Sequence, residues 1–130
     1  MGHTFTKAER LTSKKTIDAL FELGTSFAIK PLRIIWLESK LTSSYPVQVV
    51  IVVPKKNISR AVDRNLIKRR LREAYRKNKD LLYEYLLKTK KQYAIAILFT
   101  GTEPLAYKEV EAKIILSLQR LIKENEKAGR

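Results

Sequence analysis

The chain contains no cysteine, which excludes disulfides, thiol nucleophiles and thiolate metal sites, and fits a reducing compartment. Its one histidine, His3, stands at the very start, so a histidine-based triad or a histidine-rich metal site lacks its residues. Acids are scarce, 13 against 27 Lys and Arg. Those present are scattered. Asp18 and Glu22 share a helix face at i, i+4, a spacing expected of a solvated pair rather than an acid/base couple. Long apolar runs are lacking too. The longest, Val49 to Val53 and Tyr93 to Phe99, are far too short to cross a bilayer and suit buried strands. Met1 to Phe5 holds no apolar core of signal-peptide length. The expectation is a soluble cytoplasmic protein with no membrane partner and no catalytic apparatus of its own.

What is there is positive charge on a foldable chain. Hydrophobic residues make up 45% of 130 positions, enough for a core and a length for one domain, residues 1–130, with an ordered part from about 10 to 123. The net charge is +14. Self-repulsion of that size is relieved by a polyanion, so RNA, DNA or an anionic membrane is the expected partner. Between Lys55 and Lys79 there are 11 Lys or Arg and only two acids, Asp63 and Glu73. The charge is therefore local, as a binding face requires.

Turn and cap residues divide the chain. A first helix is expected from about Lys14 to Leu23, capped by Thr12 or Ser13 and ended by Gly24 in a left-handed conformation; Ile17, Leu20 and Phe21 form its apolar face. Pro31 precedes a strand, Leu32 to Leu37. Thr42 to Pro46 reads as a turn or hairpin connection, and β-branched Val47 to Val53 as the strongest strand, ended by Pro54. A second helix runs from about Ser59 or Arg60 to Lys77, with Ser59 or Asn57 as its cap. Asp80 to Leu87 either continues it or forms a separate turn. Tyr93 to Phe99 is another buried strand, and a last helix runs from about Ala106 to Lys123, with a charged end expected to fray. There is no internal repeat. The order makes an α+β layer fold.

The second helix carries the chemistry. At 100° per residue Arg64, Lys68 and Arg72 stack at i, i+4, i+8, and Asn65, Arg69 and Arg76 fall on the adjoining flank. Ile67, Leu71 and Ala74 face the other way, with Tyr75 at the boundary. Arginine forks can take two phosphate oxygens or lie on a base, and an Asn amide among them can reach a base or a 2′-hydroxyl. A solvated face would mix signs to gain i,i+4 pairs, whereas acids are nearly absent here; a membrane-surface helix would carry several bulky Trp, Phe or Leu on its apolar side, whereas this one has Leu71 alone.

Lys55-Lys56, Ala61-Val62, Arg64-Asn65, Lys68-Arg69 and Arg72-Glu73 closely resemble the signature of the bacterial ribonuclease P protein component, a signature that includes an Arg-Asn-Arg motif of which Arg64-Asn65 are the first two residues here. Arg10-Leu11, Phe21, Gly24-Thr25-Ser26, Val53-Pro54, the strand Tyr93 to Phe99 and Leu105-Ala106-Tyr107 extend the resemblance over roughly Arg10 to Lys123. Leu66 stands where many members have another Arg, Arg70 where many have an apolar residue, Ile17 where an aromatic often accompanies Phe21, and Val50 where many have Gly.

The resemblance implies an αβββαβα single domain, like a domain of ribosomal protein S5, with a mixed four-stranded sheet and a left-handed βαβ crossover. It implies a subunit that binds a large catalytic RNA and the 5′ leader of precursor tRNA, where the RNA holds the active site and Mg²⁺ and the leader is removed by hydrolysis. The protein alone is expected to be monomeric. Carried over residue by residue, Arg60, Arg64, Asn65, Lys68, Arg69, Arg72 and Arg76 would contact the catalytic RNA, and Phe21, Lys55 and Lys56 the leader. Phe21 either stacks on a leader base or is core of the first helix. Lys55 and Lys56 either bind phosphate or are simply solvated. Trp36 is either a base platform or core packing. Two rival functions stand beside this one: a structural RNA-binding protein or RNA chaperone without a role in cleavage, and an autonomous metal-dependent nuclease, which would need clustered carboxylates.

Overall fold

In the computed structural model, residues 4–128 are described, so His3 lies outside the described residues. A short 3-10 turn, Lys7–Glu9, leads into α1 (Lys14–Leu23), β1 (Thr25–Ile29), β2 (Leu32–Glu38), β3 (Val47–Val52), α2 (Ala61–Asn78), α3 (Asp80–Leu87), β4 (Tyr93–Phe99) and α4 (Tyr107–Ala128). The expected α+β order holds, with α3 as a separate helix behind α2. Ser13 caps α1, its Oγ accepting from the Thr16 N–H at 3.3 Å.

Gly24 does not adopt the left-handed conformation expected of it. Its φ of −69° and ψ of 155° are extended. Space explains the glycine instead: a Cβ there would lie 2.4 Å from the Leu20 carbonyl oxygen and 2.7 Å from Ile35 Cγ2. The strand that follows, β1, escaped the reading of residues because Thr25–Ile29 buries only Phe27.

The sheet order is β1-β2-β4-β3, antiparallel except for the parallel β3–β4 pair. The connection 42–46 is therefore not a hairpin, since β2 and β3 flank β4 rather than pair. Gln92, at the entry to β4, holds this connection. Its Nε2 donates to the Ser43 and Tyr45 carbonyls at 2.6 and 2.8 Å, and its Oε1 accepts from the Leu41 N–H at 3.0 Å. A parallel pair needs a crossover, which α2 and α3 supply.

Period-2 alternation sends the strands' side chains to two faces. Phe27, Ile34, Trp36, Val49, Ile95 and Ile97 pack with Ile67, Leu71, Ala74 and Tyr75 of α2, Leu82 and Leu86 of α3, and Val110, Ile114, Leu118 and Leu121 of α4. Ile35, Ala94 and Ala96 pack on the other face with Leu11, Leu41 and Leu20 of α1. Trp36 is thus core, its ring 5.8 Å from that of Tyr93. The last helix continues past Lys123 to Ala128. Asn125 is buried there and accepts from the Tyr85 hydroxyl at 2.9 Å, which ties down the turn expected to fray.

Order also begins before Arg10. Glu9 is fully buried, and its carboxylate accepts from the Thr6 N–H and hydroxyl at 2.9 and 3.0 Å, from the Tyr83 hydroxyl at 2.6 Å, and from Lys79. Lys79, itself 5% exposed, separates α2 from α3 and also donates to the Thr4 carbonyl. One of the cations counted toward the basic segment is therefore interior. Apolar periodicity cannot reveal such a pair, because each partner alone would be prohibitively costly to bury.

Burial alone would raise the Glu9 carboxyl, but the donors from Lys79, Tyr83 and Thr6 outweigh it and hold the group below its usual value. A depressed native pKa contributes stability that is present above the unfolded value, about 4.3, and is lost as pH falls through the native one. Lys79→Met, which leaves Glu9 buried and unpaired, is expected to cost about 3–5 kcal/mol in denaturant unfolding. Glu9→Gln should remove part of the acid limb of the stability profile. An Lys79→Met protein as stable as wild type would show that the pair does not hold the N-terminal segment.

Candidate nucleic-acid interface

The apolar stripe of α2, Ile67, Leu71, Ala74 and Tyr75, is buried, so the remaining sides of the helix face outward. Arg60, Asn65, Arg69 and Arg72 are exposed, and Arg64, Lys68 and Arg76 are half-buried. Among the described residues no acid lies within ion-pair distance of Arg60, Arg64, Lys68, Arg69 or Arg72. The sequence thus places these side chains together as a ridge of cations with the Asn65 amide set among them.

Three arginines of the helix have local duties that its helical phase did not show. Arg64 Nη1 donates to the carbonyls of Ile58 and Ser59 at 2.9 and 2.8 Å, fastening the loop that precedes the helix. Neither Ser59 nor Asn57 caps α2 as expected. Arg60 occupies the N-cap without a side-chain cap bond, and Asn57 reaches across to the Phe99 carbonyl instead. Arg76 forms a two-point bond to Glu73, Nε to Oε2 at 3.0 Å and Nη2 to Oε1 at 2.6 Å. That bond holds the Glu73 carboxyl below the usual range. Arg70, whose place in the family pattern is often apolar, donates to the Leu105 carbonyl and so ties α2 to the segment before α4. Leu66 is half-buried.

Lys55 and Lys56 are both exposed in a turn directly after buried Val53. Among the described residues neither forms an ion pair. Phe21 is 45% exposed, so it is not the core residue of α1; Leu20, at 0%, fills that place. Ile17 is only partly buried beside it, and Val50, on the sheet, packs in the same cluster. Asp18 and Glu22 are both exposed, and Asp18 pairs with Lys14 at 3.3 Å rather than with Glu22.

One cation escaped the sequence reading. Arg33, on β2, is exposed on the sheet face that carries α1. Its only signal was a single charge alternating within an apolar strand. Among the described residues no group of three His, Cys, Asp or Glu is placed to hold a metal ion, and no helix is long and apolar enough to cross a membrane.

Cations that have no acid partner among the described residues have the chemistry to take phosphate. Alanine at Lys68, Arg69 or Arg72 should each flatten the dependence of log affinity on log salt by about one unit for a folded RNA. Arg76→Ala should change it less, because Glu73 already neutralises that fork. Equal slopes for all four variants and wild type would mean that the ridge neutralises no phosphate.

The Ribonuclease P family model matches residues 5–122. The ribonuclease P protein component of Porphyromonas gingivalis is 36% identical over 116 residues, covering 88% of this chain and 84% of the relative. Among solved structures, the RNase P protein of Staphylococcus aureus superposes with a TM-score of 0.68 at 18% identity, covering 89% of this chain and 99% of that one. That of Thermotoga maritima gives 0.67 at 24%, covering 86% and 96%.

Proposed function

The chain belongs to the ribonuclease P protein family, and we propose that within that ribonucleoprotein it holds RNA and leaves the bond-breaking to the RNA subunit. As a ribonuclease P protein component it serves the maturation of tRNA 5′ ends. The observation that carries the finer reading is the outward face of α2, where Arg60, Arg64, Asn65, Lys68, Arg69 and Arg72 stand without acid partners among the described residues. That face would seat the catalytic RNA. Charge-assisted bonds to phosphate position a folded RNA without needing sequence. The exposed ring of Phe21 and the pair Lys55-Lys56 would take the leader of precursor tRNA, by stacking and by phosphate contact respectively.

Mg²⁺ in this reading is held mainly by the RNA subunit, where it would activate the attacking water and neutralise the phosphodiester. The protein's part is to neutralise phosphates that would otherwise need further cations, so that the RNA folds and binds substrate at lower metal concentration. No protein nucleophile is required. Arg76, already paired with Glu73, contributes least to the RNA face. The protein by itself is monomeric and works in the cytoplasm.

Reconstitution with the organism's own catalytic RNA tests this reading. At low Mg²⁺, precursor tRNA should be cleaved only when RNA and protein are both present. Leader removal by the protein alone would overturn the division of labour. The rival reading, a structural RNA-binding protein, shares the basic helix. It predicts that adding the protein tightens precursor and mature tRNA equally, whereas a leader-binding subunit favours the precursor.

A further inference from the structure

The sheet face that carries α1 is only partly covered. α1 crosses the strands over Ile35, Ala94 and Ala96, with Val50 in the same cluster. One row further along, on the same face, the register aligns Ala28 on β1, Arg33 on β2, Leu98 on β4 and Val52 on β3. No helix buries this row. Ala28 and Arg33 are exposed, and Leu98 and Val52 are half-buried.

Arg33 is an unusual occupant. β2 is an interior strand, where β-branched and aromatic residues are favoured. Its hydrogen bond is a weak one, Nη1 to Ser26 Oγ at 3.3 Å. Among the described residues no acid pairs with it. Ala28 beside it on β1 is small and leaves the guanidinium unobstructed. A groove of about 460 Å³ opens next to it, between the β1–β2 turn and the loop after β4, with Arg33 and Lys30 both in its wall. The groove's shape is fixed. The Thr100 N–H donates to the Pro31 carbonyl at 2.8 Å, and Gly101 lies so close that a Cβ there would stand 2.9 Å from the Phe99 ring.

At the other margin of the row, β3 ends at Val52 and runs on into Lys55 and Lys56. From Arg33 on β2 to Val52 on β3 the row spans two strand spacings, roughly 10 Å. Cations therefore stand at both ends of this span, with Leu98 and Val52 between them and Ala28 beyond Arg33. Single strands are held in this way, with phosphates on basic margins and bases over an apolar floor.

We propose that Arg33, assisted by Lys30, is a further contact for the single-stranded leader and takes a backbone phosphate where the strand leaves the sheet over β1. The proposal rests on the leader-binding reading above and extends it. Lys55 and Lys56 hold the strand on the β3 side, and Arg33 and Lys30 hold it on the side of the β1–β2 turn. The second contact is reached only by a leader long enough to cross the sheet.

The test uses the reconstituted holoenzyme with wild-type protein, Arg33→Gln and Arg33→Lys. Its probes are precursor tRNAs with leaders of about two and about ten nucleotides, on the scale of single-strand sites, and mature tRNA. Arg33→Gln should bind the long-leader precursor about tenfold more weakly, the loss of one charge-assisted bond. It should also flatten the salt slope for that precursor by about 0.7. Short-leader precursor and mature tRNA should be unaffected, and Arg33→Lys should restore the slope. Equal losses on all three RNAs, or no loss on the long leader, would overturn the proposal while leaving a wild-type preference for precursor intact. A wild-type holoenzyme without that preference would overturn the leader-binding reading and this extension together.

Discussion

Ile67, Leu71, Ala74 and Tyr75 form the apolar stripe of α2, and their burial against α4 and the sheet fixes how the helix sits. The helix has no second apolar side. Docking by that stripe leaves Asn65, Arg69 and Arg72 in solvent, with Arg64 and Lys68 half-buried. Rotating the helix by about 100°, one residue, would bury guanidinium groups without partners, at several kcal/mol each. The hydrophobic effect on one side thus determines the electrostatics of the other, and the outward ridge follows from the core rather than from any feature of the ridge itself.

The cations of this segment divide their work. Lys79 is drawn inside by Glu9, Tyr83 and the Thr4 carbonyl, and so joins the N-terminal segment to the break between α2 and α3. Arg70 and Arg64 fasten neighbouring loops through backbone carbonyls, and Arg76 is neutralised by Glu73. What remains facing solvent is a narrower set than composition suggests. Arginine suits this division, because its five donors allow one nitrogen to hold a carbonyl while others stay available to a phosphate.

Much of the fold was legible from local pattern. α1 and the docked side of α2 appear in the sequence as a period of 3.6, and β3 and β4 as short continuous apolar runs. The features that were not legible depend on partners distant in sequence. Glu9 and Lys79 are 70 residues apart, Gln92 fastens a connection some 50 residues before it, and β1 shows too little apolar alternation to stand out. The ridge was readable from the phase of Arg64, Lys68 and Arg72, and the motif gave it a family. Arg33 was not, because one charge in a strand acquires meaning only when the register places it on the partly covered face. Phe21 is a different case: the sequence left it between core of α1 and a leader contact, and only the structure shows that its neighbour Leu20 takes the buried place.

Because the chain has no cysteine, a single one can be introduced as a tether for a hydroxyl-radical source without background labelling. In the reconstituted complex, a source at Asn65→Cys on the outward face of α2 should cut the catalytic RNA at a few defined positions. The same source at Gln119→Cys, exposed on α4, should not reproduce those cuts. Defined cleavage from α4 and none from α2 would contradict the claim that the outward face of α2 seats the RNA.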